Sequence, residues 1–385
     1  MPKTISITAI ASLSPLGFGA ETVRENYLSG AHFFSRKTVG IQTVPVGALS
    51  AEAEDIITTL RYSDQKYKSL DESVLYAIAV SREAVRQSGW QPQDVFGINI
   101  GSSRGATGLF EKHHKEFLET GKTATLASPV TTLGNISSWV AHDLQSDGPE
   151  VSHSITCSTA LHALLNGYAW LQAGMADKFL VGGSEAPLTD FTIAQMQAMK
   201  IYAKEIGEFP CRALDLDKKQ NTLVLGEGAA VCCLETGKKD HAMATIAGIG
   251  YATELLEHNV SITTEAECFQ KSMKMALGNH SPEEVDVVVM HAPGTIKGDM
   301  TEFKAIQKTF GDYIPLLTST KWKTGHTFGA SGMLSVELAL LMMELDVFIG
   351  VPFAKAQPKT RPIRKVLVNA VGFGGNAVSI LLEKA

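Results

Sequence analysis

The feature that most restricts this chain is an alternation. Short apolar runs rich in β-branched residues are followed, again and again, by stretches with helical spacing. The strand-like runs are Ser6–Ala11, Val95–Ile100, Lys178–Val181, Gly228–Leu234, Thr245–Ile249, Val285–Met290, Pro315–Ser319 and Lys365–Ala370. The helical ones are Glu72–Ser88, Ser158–Ala173, Glu265–Leu277, Thr301–Phe310 and Gly332–Leu345. Strands separated by helices of this length specify βαβ units around a buried sheet. The class is therefore α/β. With 385 residues there is room for two or three average domains, or for one large duplicated one.

The order of features repeats. A strand ending in Gly101-Ser-Ser has a counterpart in the strand ending in His291-Ala-Pro-Gly. The segment before Cys157 and its helix matches Leu317-Thr-Ser-Thr, its loop and the helix after His326, and Gly182-Gly-Ser-Glu matches Gly372-Phe-Gly-Gly. A period this long indicates two structural repeats. Gly237-Lys-Lys-Asp-His241 is the polar break between them, so the halves are expected at 1–240 and 241–385.

Composition excludes several functions. The formal net charge is −6, so the chain as a whole offers no basic footprint for nucleic acid. No uncharged apolar stretch reaches the roughly 18 residues of a membrane span. The longest candidate, Met333–Leu345, contains Glu337 and Glu344. Met1-Pro-Lys-Thr-Ile runs straight into a strand-like segment, so no secretory leader is expected. The five cysteines (157, 211, 232, 233 and 268) are odd in number and form no CxxC, and Cys232-Cys233 fall inside an apolar run. That pattern fits buried thiols in a reducing compartment, the cytoplasm, and argues against a disulfide framework or a metal site. No Walker A or GxGxxG motif occurs. Gly101-Ser-Ser-Arg-Gly105 formally matches GxSxG, but so short a pattern makes Ser103 a weak nucleophile candidate. His113-His114 has no companion ligands at metal spacing and reads as surface.

The chemistry concentrates on one thiol and two imidazoles. Cys157 is followed by Ser158 and Thr159, and then by Leu161, Leu164, Leu165 and Tyr168 at helical spacing. A helix thus begins beside the thiol, Ser158 or Thr159 can cap it, and its partial positive charge favours thiolate. His291 ends an apolar run before Pro293-Gly294-Thr295, and His326 lies between Gly325 and Thr327. Both stand at strand-to-loop junctions, where α/β sheets carry their sites. A cysteine can hold an acyl group, and two imidazoles can stabilise the enolate formed when a β-keto acid thioester loses carbon dioxide.

These residues lie in segments that carry a resemblance. The chain resembles the β-ketoacyl-acyl carrier protein synthases of the Cys-His-His type, nearly end to end. The matching segments begin with Ile5–Gly17 and continue through Cys157-Ser-Thr-Ala, Gly174–Pro187, Pro210–Asp215 and Leu225–Ala230. They end with Thr318-Ser-Thr-Lys, Gly325–Gly332 and Gly372-Phe-Gly-Gly375. The resemblance implies thiolase-like duplicated βαβαβαββ halves in a five-layer αβαβα architecture.

It also implies roles. Cys157 would take the acyl group, and His291 and His326 would bind the malonyl thioester and promote its decarboxylation. Lys321 would support the site electrostatically, through Glu302 or a water. Asp299 and Glu302 match the acidic pair after the first histidine loop, with Asp299 read as part of a network holding that loop. The backbone N–H groups of Cys157 and Phe373 would form the oxyanion hole, and Phe373 would gate the acyl channel. Thr295 and Thr327 would contact the phosphopantetheine that arrives on the substrates; no metal or resident cofactor is implied. The implied partners are an acyl carrier protein and a second chain, identical or synthase-like, in a dimer.

Three departures from the family pattern bear on substrate class. Pro293 replaces a threonine, Ser335 replaces a glutamate, and Val371 replaces a phenylalanine. They suggest a specialised synthase building a polyene or polyketide chain rather than housekeeping fatty acids. Carrier proteins are acidic, so a basic docking patch is expected, either at Arg61, Lys66 and Lys68 or at Arg104, Lys112 and Lys115. Two rival readings compete with this one. A non-catalytic chain-length-factor subunit would have lost the nucleophile, which persists here together with His291, His326 and Lys321. A thiolase would carry a second cysteine in a C-terminal Cys-x-Gly loop, which is absent.

Overall fold

The computed structural model describes residues 2–91, 93–133, 135–255, 262–354 and 357–385. Ten strands form one path across a sheet: β1 Ile5–Ser14, β2 Gly97–Gly101, β3 Glu150–Val151, β4 Lys178–Glu185, β5 Gly228–Thr236, β6 Ala244–Thr253, β7 Val287–Val289, β8 Leu316–Thr318, β9 Lys365–Gly372 and β10 Asn376–Lys384. Their spatial order is β3-β2-β4-β5-β1-β6-β10-β9-β7-β8. The first five and the last five are therefore mirror readings of one topology. In each half four strands run parallel and one, β5 or β10, runs antiparallel to them. Only two residue pairs, Ser6 with Thr245 and Ile7 with Ala244, join the half-sheets through β1 and β6.

Six helices complete the repeat: α1 Glu72–Ser88, α2 Asn135–Leu144 and α3 Thr159–Gln172 in the first half, and α4 Glu267–Leu277, α5 Ile296–Phe310 and α6 Ser331–Leu345 in the second. Each half thus reads βαβαβαββ. Side chains that alternate along the strands separate the layers. In β4, Phe179 and Val181 face a core shared with α3 and α6, whereas Leu180 faces α1 and α2. In β9, Val366 and Val368 face the shared core, whereas Leu367 faces α4 and α5. The same alternation sends adjacent Cys232 and Cys233 to opposite faces of β5. The result is the five-layer αβαβα stack, with α3 and α6 in the middle. A helix buried on every side needs no polar face, and every residue of α6 from Ser331 to Met343 is buried. The 18-residue stretch Phe328–Leu345 is apolar enough to span a membrane by composition, yet 89% of it is packed inside the protein.

Several elements differ from the sequence reading. α5 starts at Ile296 rather than Thr301, because the Thr295 hydroxyl accepts from Gly298 N and caps it. β4 runs on through Gly182–Glu185, whereas its counterpart β9 stops at Gly372, so the two glycine segments are not equivalent in structure. The two-residue strand before Cys157, Glu150–Val151, is not among the runs read from the sequence. The hairpin Ser35–Val39/Gln42–Val46 and the helix Thr107–Thr120 were not anticipated. That helix buries none of its residues and leaves Phe110, Phe117 and Leu118 exposed.

Candidate active site

The two half-sheets bring the loops after β3, β7, β8 and β9 to one place. A pocket of about 230 Å³ opens there, and Cys157, His291, His326, Pro293, Thr295, Val371 and Phe373 all line it. Cys157 and His326 occupy equivalent positions in the repeat, one before α3 and the other before α6. The thiol, both imidazoles and the expected gating phenylalanine are therefore gathered by the duplication itself.

Cys157 follows a strained turn. Thr156 has φ 47°, a left-handed conformation that β-branched residues seldom adopt. β9 reaches this turn closely: a Cβ on Gly372 would collide with the Thr156 hydroxyl, which donates to the Phe373 carbonyl at 3.3 Å. Neither Ser158 nor Thr159 caps α3 with its side chain, contrary to the sequence reading. Ser158 Oγ donates to Ile155 O at 2.9 Å and Thr159 Oγ1 donates to Thr156 O at 2.6 Å, so both hydroxyls tighten the turn instead. The expectation of a favoured thiolate is also reversed. Burial pushes the Cys157 thiol up to about 12 and nearby Glu185 adds to this, outweighing the opposing pull of Lys321 and Arg104.

The two imidazoles meet edge to face with ring centroids 5.2 Å apart. Burial first, and then the positive charge of Lys321, hold both well below the ordinary histidine range. They are thus neutral near pH 7, and each can donate one N–H. Among the described residues, the Nδ1 atoms of His291 and His326 have no hydrogen-bond partner. Buried polar atoms without a partner are rare in folded proteins, and here two belong to adjacent imidazoles that line one pocket. The His326 backbone is pinned to the segment before β5, its N–H donating to Val224 O at 2.7 Å and its carbonyl accepting from Gly226 N at 3.1 Å.

Carboxylates hold the first histidine loop. Glu302 accepts from the N–H groups of His291 at 2.9 Å and Ala292 at 2.8 Å, and from Asn369 Nδ2 at 3.2 Å. Asp299 accepts from Gly294 N at 3.0 Å, Leu214 N at 2.8 Å and Lys218 Nζ at 2.6 Å. Lys321 is 1% exposed and stands off the pocket wall. Burial lowers its pKa, and Glu302 is the strongest charge opposing that. Glu302 in turn is pushed up by burial. Glu185, 0% exposed, accepts from Ser103 N and from Gly329 N, tying the loop after β2 to the His326 loop.

Other expectations fare unevenly. Thr295 lines the pocket while capping α5, but Thr327 is buried and off the pocket wall. Ser335 is buried within α6, its hydroxyl donating to Ser331 O. Ser103 is no nucleophile elbow, since its N–H serves Glu185 and its carbonyl accepts from Ser154 Oγ. Two members of the docking clusters are engaged inside the protein. Arg61 bonds Glu72 and the carbonyls of Lys68 and Leu70, and Arg104 lies over the Phe328 ring at 5.2 Å. Lys66 and Lys68, and Lys112 and Lys115, remain exposed. Among the described residues no group of three or more His, Cys, Asp or Glu could hold a metal. Sequence reasoning missed Lys218, Glu185 and Asn369. Asn369 was signalled only as one polar residue in the otherwise apolar run of β9.

The sequence model described as "Beta-ketoacyl synthase, N-terminal domain" matches residues 3–240, and "Beta-ketoacyl synthase, C-terminal domain" matches 243–351. The chain belongs to the beta-ketoacyl synthase family. It is 27% identical to the 3-oxoacyl-[acyl-carrier-protein] synthase 2 of Staphylococcus aureus, over 99% of this chain and 98% of that protein. Among solved structures, the ishigamide ketosynthase/chain length factor superposes with a TM-score of 0.87 at 19% identity, covering both chains fully. A type II polyketide ketosynthase in complex with its acyl-carrier protein gives 0.86 at 19% identity, again over all of both chains. Members of this family are condensing acyltransferases, and the shared fold is that of the ketosynthases.

Proposed function

We propose that this chain is a catalytically competent β-ketoacyl synthase. Cys157 attacks an acyl thioester, the donor's carbon–sulfur bond breaks, and the donor thiol leaves. A malonyl thioester then binds against His291 and His326, whose N–H groups donate to its carbonyl oxygen as carbon dioxide departs and the enolate forms. The enolate carbon attacks the acyl carbonyl on Cys157, giving a β-ketoacyl thioester and freeing the thiolate. The Cys157 proton is taken up by the departing donor thiolate, which leaves as the thiol. Lys321 and the Glu302 clamp hold this geometry. The backbone N–H groups of Cys157 and Phe373 serve as the oxyanion hole, and Phe373 as the gate.

The observation that carries this reading is the convergence of Cys157, His291 and His326 on one pocket, with the two imidazoles packed edge to face. The substrates are read as carrier-bound phosphopantetheine thioesters, with Thr295 on the wall they would pass. A relative is named for its carrier-protein substrate and a structural neighbour holds its acyl-carrier protein, which supports an acyl carrier protein as partner here. Dimerisation, with itself or with a synthase-like chain, and a cytoplasmic location belong to the same proposal. The pathway is read as fatty acid, polyene or polyketide synthesis, and the alternative of a non-catalytic chain-length-factor subunit has no observation that favours it over the intact triad. Cys157→Gln, which mimics the acylated enzyme, separates the two. It is expected to release carbon dioxide from malonyl-carrier protein, and a silent, folded variant would argue for the non-catalytic role.

A further inference from the structure

Between Ser331 and Met343, α6 is buried throughout and carries a single charged residue, Glu337. Glu337 lines a cavity of about 550 Å³ that shares no wall residue with the Cys157 pocket. The cavity lies between α6, β1, the C-terminal part of α1 and the helix Ala20–Leu28. Its volume falls within the roughly 300–1,000 Å³ of small-molecule sites. Ile10, Val23, Leu28, Met243, Leu340 and Leu341 give it an apolar wall.

Polar groups gather around the acid from two neighbouring elements. Tyr27 is 1% exposed, and its hydroxyl lies 3.2 Å from both Glu337 Oε2 and Leu334 O, with one proton to give. Ser12 of β1 is 3% exposed and lines the same cavity, and its hydroxyl has no hydrogen-bond partner among the described residues. Among those residues Glu337 forms no ion pair. Buried charges are ordinarily paired and buried hydroxyls ordinarily bonded, and here one of each is left open on a single void. The rest of the wall is acidic. Glu21, Glu25, Glu83 and Glu344 line it against one cation, Arg24, which is paired with Glu344 at 3.2 Å. The charge around the cavity therefore favours a cation, while its inner wall favours hydrocarbon. A bare metal ion lacks ligands, because no group of three or more His, Cys, Asp or Glu among the described residues could hold one.

We propose that this cavity is a binding site for a small alkylammonium ion, the ammonium donating to Glu337 and Ser12 and the alkyl chain lying against Ile10, Leu340 and Leu341. An anion would meet the acidic wall, and a neutral apolar molecule would leave Glu337 without a counter-charge. The site stands apart from Cys157 and does not depend on the synthase reading.

Calorimetric titration of the full chain with n-hexylammonium, 1-hexanol and hexanoate tests this, with Glu337→Gln alongside. The unsubstituted chain is expected to bind one hexylammonium at least about tenfold more tightly than hexanol, with hexanoate weakest. Glu337→Gln keeps the shape of the side chain and an acceptor for Tyr27. It is expected to lose that preference while binding hexanol as before. A second measurement uses the unsubstituted chain alone. Burial holds the Glu337 carboxyl up to about 7 against the neighbouring Ser12 and Tyr27 hydroxyls, and Glu21, Arg24, Glu25, Glu83 and Glu344 are the other charged groups on the cavity. The alkylammonium stays charged throughout, so its affinity should rise at least about tenfold from about pH 5.5 to about pH 8 as Glu337 ionises. Equal affinity for hexanol and hexylammonium would overturn the proposal. So would an undiminished preference in Glu337→Gln, a level affinity across that pH range, or no binding of hexylammonium at millimolar concentration.

Discussion

At the scale of single residues, the site divides into groups that meet substrate and groups that hold them. Cys157, His291 and His326 were legible from sequence because each stands in a turn of small residues after an apolar run, where strand ends place reactive side chains. Glu302 and Asp299 were legible as a pair, and the structure assigns them different partners. Glu302 holds two backbone N–H groups, while Asp299 holds two others and the Lys218 ammonium. Lys218, Glu185 and Asn369 were not legible. Their roles depend on partners 60 or more positions away in the chain, such as Asn369 with Glu302 and Lys218 with Asp299. No local pattern encodes such a pairing. The division predicts a separation in kinetics. His291→Ala or His326→Ala should still accept an acyl group on Cys157, while condensation falls by about 10²–10³, the usual loss when one donor to a developing oxyanion is removed. Normal condensation in either variant, measured by product formation from malonyl-carrier protein, would remove that histidine from the mechanism.

Among elements, the decisive contact is the approach of β9 to the turn before α3. Alternating apolar runs made the strands and the central helices readable, including α6, whose lack of a polar face marks it as buried on all sides. The short β3, the 35–46 hairpin and the helix at 107–120 were not read, the first because a two-residue strand has no period. The Gly372-Phe-Gly-Gly segment was readable as a glycine turn, but the reason for Gly372 is its neighbour. With any Cβ there, Thr156 must move, and Thr156 already sits in a strained conformation beside the nucleophile. Gly372→Ala is expected to slow acylation of Cys157 by more than tenfold and to lower Tm, because a backbone shift at this turn displaces the thiol. Acylation at the normal rate, with Tm unchanged, would show that the turn tolerates the displacement.

For the whole molecule, a duplicated fold of this size buries several carboxyls whose pKa values burial raises. Glu337 in α6 is 8% exposed, accepts from the Tyr27 hydroxyl at 3.2 Å, and is pushed up to about 7, chiefly by burial. Burial raises Glu185 and Glu227 to about 7 as well. A carboxyl whose folded pKa lies above its unfolded value binds more protons when folded. Its stabilisation is therefore full below the unfolded value of about 4.5 and is lost as pH rises through about 7. Relative to Glu337→Gln, the Tm of the unsubstituted chain should fall between about pH 5 and pH 8, so that the variant exceeds it at the upper end. Parallel Tm curves for the two proteins would show that Glu337 ionises in the fold without cost. The most direct test of the central claim is intact-protein mass after mixing the chain with a panel of acyl-carrier proteins. The account predicts a single acyl adduct on Cys157, absent from Cys157→Ala; an adduct that survives in that variant, or no adduct on the folded protein from any donor, would contradict it.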